Sequence, residues 1–266
     1  MGNQIILLTF YFLLGTAVGS FLNVWSRRLL RGKPPTGRSR CEHCKHVLSA
    51  LDLIPLASFF LLRGRCRYCK KPLSWQYPIV EFVTGSLFVA LWLVVPSSNY
   101  WLLTTGSWLA LAISASALIV IFITDFSAQV IFDQTIWAAV IGALLYRISL
   151  LTTNYSLFSI LYDLLGALGV YLSLRAVRLV TKKRGMGEGD PPLGFVTALL
   201  VGFPAMLVEL FAAFVIGGIT GSILVLGGKK HLKDRIAFGP FLVVATFATL
   251  FWGEGIWRWY LSVLGL

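Results

Sequence analysis

The stretch WLALAISASALIVIFITD, residues 108–125, decides the fold. From Trp108 to Thr124 it carries no charge, and it ends on a carboxylate, Asp125. A helix that crosses a bilayer needs about 20 mostly apolar residues. Comparable runs recur near residues 5–25, 78–96, 100–124, 131–151, 156–180, 191–203, 204–227 and 237–262. The chain is 57% hydrophobic and 13% charged, with a mean hydropathy of +0.80. A soluble domain carries about 25% charged residues. These features predict an all-α polytopic membrane protein of about eight transmembrane helices. The first run, Ile5 to Trp25, has no basic residue before it and no small-residue cleavage pattern. It reads as a retained span, not a signal peptide.

The net charge of +12 is unevenly placed. Twelve of the 23 Lys/Arg lie between Ser26 and Gln76, against two acids. Further clusters are Arg175, Arg178, Lys182, Lys183 and Arg184, then Lys229, Lys230, Lys233 and Arg235. Basic clusters beside apolar spans reflect the positive-inside bias and contact with the lipid bilayer, not nucleic acid. With eight spans and both termini outside, the loops at 26–77, 125–130, 181–190 and 228–236 share the cytoplasmic face. Removing one span would put basic clusters on opposite faces. The chain then divides into a first transmembrane helix (1–25), a cytoplasmic loop (26–77) and a seven-helix membrane domain (78–266). No internal repeat stands out, and Gly166, Gly169, Gly217, Gly218 and Gly221 predict close helix packing in lipid.

The loop between the first and second spans contains Cys41-Glu42-His43-Cys44 and Cys66-Arg67-Tyr68-Cys69, which use all four cysteines. Two C-x2-C pairs in a reducing compartment suit a closed tetrahedral structural zinc site, with no ligand position left for catalysis. The alternative is four free thiols, some packed on the membrane surface. His43 and His46 read as solvated loop residues.

Gly185-Met186-Gly187-Glu188-Gly189-Asp190 is the second informative stretch. A carboxylate at the mouth of a membrane segment is costly and marks a functional site. Gly187 and Gly189 allow a tight turn and close backbone approach. Asp125 and Asp190 fall on the same face, as an aspartyl dyad that activates water would. Two carboxylates that close share one proton; the ionised one takes a proton from water and the other donates to the carbonyl oxygen. The pair is expected to face a water-accessible cytoplasmic cleft. The competing role is helix capping, sharpest for Asp190 because Pro191 suits a first helical position, and the two roles are compatible. Asp133 is either a cap or a supporting group. Glu188 is either an exposed loop acid or a supporting group. Glu81 reaches headgroups, pairs with a loop arginine, or lines a pocket. Asp163 and Glu209 read as packing polar groups, paired with Arg147, Arg175 or Arg178.

These residues together resemble the prepilin peptidase, or type IV leader peptidase, family. Gly19-Ser20-Phe21-Leu22-Asn23-Val24 is similar to its opening span, and the paired cysteines followed by Tyr77-Pro78-Ile79-Val80-Glu81 to its next block. Asp125 with Asp133 resembles its D-x-[DE]-x4-P-D segment, Gly187-Glu188-Gly189-Asp190 its GxGD signature, and Phe238-Gly239-Pro240-Phe241 its closing block. Three departures stand out: Ser127 in place of an acid, Phe132 in place of a proline, and Pro191-Pro192 where an aliphatic residue and a lysine are usual. The resemblance implies a bacterial inner-membrane aspartic endopeptidase with Asp125 and Asp190 catalytic. It would remove the basic leader from type IV prepilins or type II secretion pseudopilins at the cytoplasmic face. It also implies N-methylation of the new terminus with S-adenosylmethionine as donor; no glycine-rich nucleotide loop marks that half. The alternatives are another GxGD-type intramembrane aspartyl protease, or a non-catalytic membrane assembly factor with a zinc docking loop.

Overall fold

The computed structural model describes residues 2–95, 101–152, 155–182, 185–228 and 236–265. The basic residues Lys183, Arg184, Lys229, Lys230, Lys233 and Arg235 lie outside the described residues. The described chain is helical, without named strands, and forms two compact units, Met1–Val95 and Pro96–Leu266.

In the first unit α1 (Gly2–Leu30) packs along α3 (Gln76–Val94). Without side-chain hydrophobic drive between helices in lipid, close contact depends on small residues. Here a Cβ on Gly15 would lie 2.8 Å from Gly85 Cα, so the two backbones touch. Between the helices run a turn at Ala50–Leu53, the short α2 (Ala57–Leu61) and the cysteine-bearing loop.

The second unit holds α4 (Trp101–Ala128), α5 (Asp133–Ser149), α6 (Leu157–Val180), α7 (Asp190–Val201), α8 (Ala205–Leu226) and α9 (Gly239–Val263). Helix α4 packs on α5 and α9; α7 packs on α5, α6, α8 and α9. Fully buried Leu118, Val120 and Ile121 of α4, Leu193, Leu199 and Leu200 of α7, Met206 of α8 and Leu242 of α9 form the core. Phe211, Ile219, Ile223 and Leu226 of α8 stay exposed, as lipid-facing side chains do. Gly166 packs on Met206 and Gly217 on Phe241, as close packing requires, whereas Gly169 and Gly218 face open space.

Among the described residues, seven helices are long and apolar enough to cross a membrane. The eighth, α7, has 12 residues, about 18 Å against a hydrocarbon core of about 30 Å. Its free carbonyls therefore end at membrane depth and need partners. Arg147 supplies them: Nε donates to Leu199 O at 2.8 Å and an Nη to Leu200 O at 2.9 Å. Asp163 balances the guanidinium at 3.5 Å and accepts the Phe203 N–H at 2.8 Å and the Tyr155 hydroxyl at 2.6 Å. Asp163 thus pairs with Arg147 rather than with Arg175 or Arg178. Glu209 has no such cation among the described residues; Thr246 donates to it across the core at 2.9 Å.

Candidate functional site

Asp125 sits three residues before the end of α4, and Asp190 is the first residue of α7. Both are buried, at 5% and 4% exposure, and the charge of Asp190 acts on Asp125. Each carboxylate is set by close backbone approach. Gly187 N–H donates to Asp190 Oδ2 at 2.7 Å. A Cβ on Gly239, at the start of α9, would lie 2.5 Å from Asp125 Oδ2 and 3.2 Å from Leu193, one turn after Asp190. A Cβ on Gly189 would lie 2.7 Å from Ile131, in the segment between Asp125 and Asp133. The two aspartate motifs are therefore packed on each other, and Gly189 of the GxGD stretch is needed for space.

The two carboxylates differ in their surroundings. Asp190 has an amide donor, and Arg178 of α6 acts on it electrostatically. Asp125 Oδ2 has no hydrogen-bond partner among the described residues, although the Gly239 amide acts on the Asp125 carboxyl. Arg178 lies 3.5 Å from Glu188, and its buried Nε has no partner among the described residues. Glu188 itself is 89% exposed. Asp133 is exposed at the first turn of α5, where its charge suits the helix dipole. An open cleft at the pair was expected. Instead, both carboxyls are buried, and the irregular stretch Gly187–Gly189 packs against Ile131 of the irregular stretch Gln129–Phe132.

The cysteines form a separate site in the first unit. Their sulfurs all lie within 4.8 Å of one another, with Cys41 Sγ and Cys69 Sγ 3.9 Å apart. Four sulfurs at tetrahedral positions around a metal at about 2.3 Å would stand about 3.8 Å apart, so the set fits one ion. Burial acts to raise the Cys41 thiol, but the amides of Cys44 and His43 and the sulfurs of Cys66 and Cys44 bring it down to about 7. For Cys44 the His46 amide favours the thiolate, yet burial and the sulfurs of Cys41 and Cys69 push it up to about 11. Sulfurs this close cannot all ionise without a cation between them.

The two knuckles are built alike, contrary to the expectation of no repeat. Cys41 N–H bonds His46 O and Lys45 N–H bonds Cys41 O; Cys66 N–H bonds Lys71 O and Lys70 N–H bonds Cys66 O. Lys45 and Lys70 both adopt positive φ, and the bridges Arg40–Val47 and Arg65–Pro72 close the two turns. The sequence signal is R-C-x2-C-K-x2-L, starting at Arg40 and again at Arg65. Asp52 was missed as a site residue. It accepts from Ser49 N–H at 3.0 Å and Arg67 Nε at 2.6 Å, joining the intervening turn to the second knuckle. Burial acts to raise its carboxyl, but Arg67 and Ser49 hold it below the ordinary value. His43 and His46 are exposed, as expected, with His46 against Tyr68. Glu81 is buried in α3 and accepts the Leu56 N–H at 2.8 Å, so it ties the loop to the helix.

Residues 13–95 match the bacterial peptidase A24 N-terminal domain, and residues 112–222 match the type IV leader peptidase family. The chain is 34% identical to a prepilin leader peptidase/N-methyltransferase of Aeromonas hydrophila, over 94% of this chain and 92% of that protein. It is 31% identical to one of Stutzerimonas stutzeri, over 94% and 92%, and 30% identical to one of Pseudomonas aeruginosa, over 95% and 93%. No solved structure matches. By these similarities over nearly its whole length, the chain belongs to the type IV leader peptidase family.

Proposed function

We propose that this protein is a prepilin leader peptidase that also N-methylates the terminus it creates. The observation that carries the reading is the pair of buried carboxylates, Asp125 and Asp190, gathered where α4, α7 and α9 begin or end. Low polarity strengthens their mutual repulsion, so one shared proton is the stable arrangement. The Gly187 amide and Arg178 favour the charge on Asp190. Asp190 is then the base that takes the proton from water, and Asp125 carries the proton that goes to the scissile carbonyl oxygen. A peptide reaches the pair by displacing the irregular segments beside it. The substrate is a prepilin or pseudopilin precursor, with its apolar helix in the inner membrane and its basic leader cytoplasmic. The cut falls at the boundary, where the dyad lies, and the basic loops keep this face cytoplasmic.

The four cysteines would hold a structural zinc, which would fix the loop without offering an open ligand position. The methyl donor, S-adenosylmethionine, supplies the methyl group for the new amine. A cavity of about 620 Å³ in the first unit is of ligand size. Arg38 and Arg40 at its edge suit the donor's carboxylate; Glu42 and Glu81 suit its positive centres.

The test is cleavage of a purified pilin precursor. Asp125→Asn and Asp190→Asn should each lose about a hundredfold or more in rate, the scale of a lost acid or base. Expression and metal content should not change. Retained cleavage in either variant would remove that aspartate from the mechanism.

A further inference from the structure

We infer that the segment Ala50–Leu62, between the two cysteine knuckles, docks into the interfacial layer of the bilayer that α1 and α3 cross. The inference does not depend on the peptidase reading.

Depth is the first observation. Helix α3 has 19 residues, about 28 Å, barely the thickness of the hydrocarbon core. All of it is needed to cross, so Gln76 stands at the boundary. Glu81 lies five residues further in, about 7 Å deeper along the axis. Its carboxylate accepts the Leu56 N–H at 2.8 Å. The bond holds the backbone just before α2 at the boundary and not out in the cytosol.

Side-chain placement is the second. Phe59 turns inward and packs on Gly64 and Trp75. Leu51, Ile54, Phe60 and Leu61 turn outward, Phe60 at 61% and Leu61 at 83% exposure, and Trp75 is 63% exposed beside them. Large apolar side chains exposed together on one short segment mark an interaction surface. Exposed Arg63 and Arg65 follow α2 directly. Apolar and aromatic side chains flanked by arginines are the composition of an element lying in the headgroup layer. Lipid, at the depth fixed by Glu81, is the occupant that satisfies both observations.

The experiment places a photoreactive benzophenone amino acid at Leu61 of the full-length protein in nanodiscs containing phosphatidylglycerol. Phe211, a lipid-facing position of α8, is the positive control, and exposed Lys71 in the same loop is the negative one. Irradiation should give lipid adducts at Leu61 and Phe211 and none at Lys71, read by intact mass. With the probe at Ile54, the Phe60→Asp/Leu61→Asp variant should lose at least about tenfold of the adduct while keeping its metal content. No lipid adduct at Leu61 with a positive Phe211, or a Leu61 adduct to a second copy of the chain or to a pilin precursor, overturns the proposal. So does an unchanged yield in the double variant.

Discussion

The two sites satisfy their polar groups in opposite ways. In the cysteine loop nearly every functional group has a local partner: each knuckle closes its own backbone bonds, and Asp52 is held by Ser49 and Arg67. At the aspartates only the Gly187 amide on Asp190 is local; Arg178 and Gly239 approach from other helices, and one carboxylate oxygen is left without a partner among the described residues. A buried unmatched carboxylate oxygen is destabilising, and proteins keep such groups where chemistry uses them. The loop is built to hold its shape. The pair at Asp125 and Asp190 is built to change protonation and to accept a substrate.

The largest effect that would break this contrast belongs to Gly239. Gly239→Ala places a methyl group 2.5 Å from Asp125 Oδ2, with Leu193 on the other side. A methyl group and a carboxylate oxygen cannot stay that close, so the carboxylate must move. Cleavage should fall at least about tenfold, since displacement by about 1 Å at a reacting centre costs on that scale or more. Gly218→Ala, which faces open space, should leave the rate unchanged. Equal rates for both variants would show that the Gly239 contact does not position the dyad.

Next in size is loss of the metal. Replacing Cys41 and Cys69 by serine should leave less than half an equivalent of zinc and raise hydrogen exchange across residues 40–73. Exchange in α4 and α7 should change little, because the knuckles bond chiefly to themselves. Equal loss of protection in both units would erase the contrast between them.

How legible each site was follows from the same difference. The spans were readable because apolar runs are a one-dimensional signal, and the knuckles because C-x2-C spacing is local. Asp125 and Asp190 were readable as charges at the ends of apolar runs. Gly239 was not: it lies 114 positions after Asp125 in the sequence, and only packing shows that it touches the carboxylate. The same holds for Arg147, whose partners Leu199 and Leu200 are 52 and 53 residues away. The shortness of α7 was visible; what lets so short a helix end at that depth was not. Glu81 carried three readings because a boundary carboxylate is compatible with each. In the structure it lines the cavity of the first unit, and it also accepts the Leu56 amide, a tie to the loop that none of the three readings named. The open cleft expected at the dyad follows from what a working enzyme needs, whereas the burial of both carboxyls depends on packing that no local stretch of sequence shows.

A smaller effect comes from Asp52. Its carboxyl is held below the ordinary value, so its contribution to loop stability is present above the unfolded carboxylate pKa, about 3.9, and is lost as pH falls through the lower folded value. Asp52→Asn should leave the loop less protected from exchange at neutral pH and should flatten the wild-type loss below about pH 4. An unchanged acid profile in the variant would assign that loss to other carboxylates.

The smallest effect concerns the leader's charge. A basic leader must approach an enzyme whose loops are themselves basic, and a local negative patch would guide it. The structure offers two exposed acids on the second unit for this, Glu188 beside Arg178 and Asp133 at the start of α5. Both are screened by solvent, so each contributes little, and rim charges act on encounter more than on the bound state. Glu188 has a second action: its removal leaves the Arg178 charge uncompensated near Asp190, which also repels a basic leader. The double variant Glu188→Gln/Asp133→Asn should therefore lose a few-fold in kcat/KM on Lys-rich leaders, mostly through KM, and the loss should shrink at high salt. Leaders with their lysines replaced should be cut at the wild-type rate. Equal loss on both leaders would assign the acids to local structure, Asp133 to its helix terminus and Glu188 to its ion pair. The dyad would then recognise leader charge through some other group.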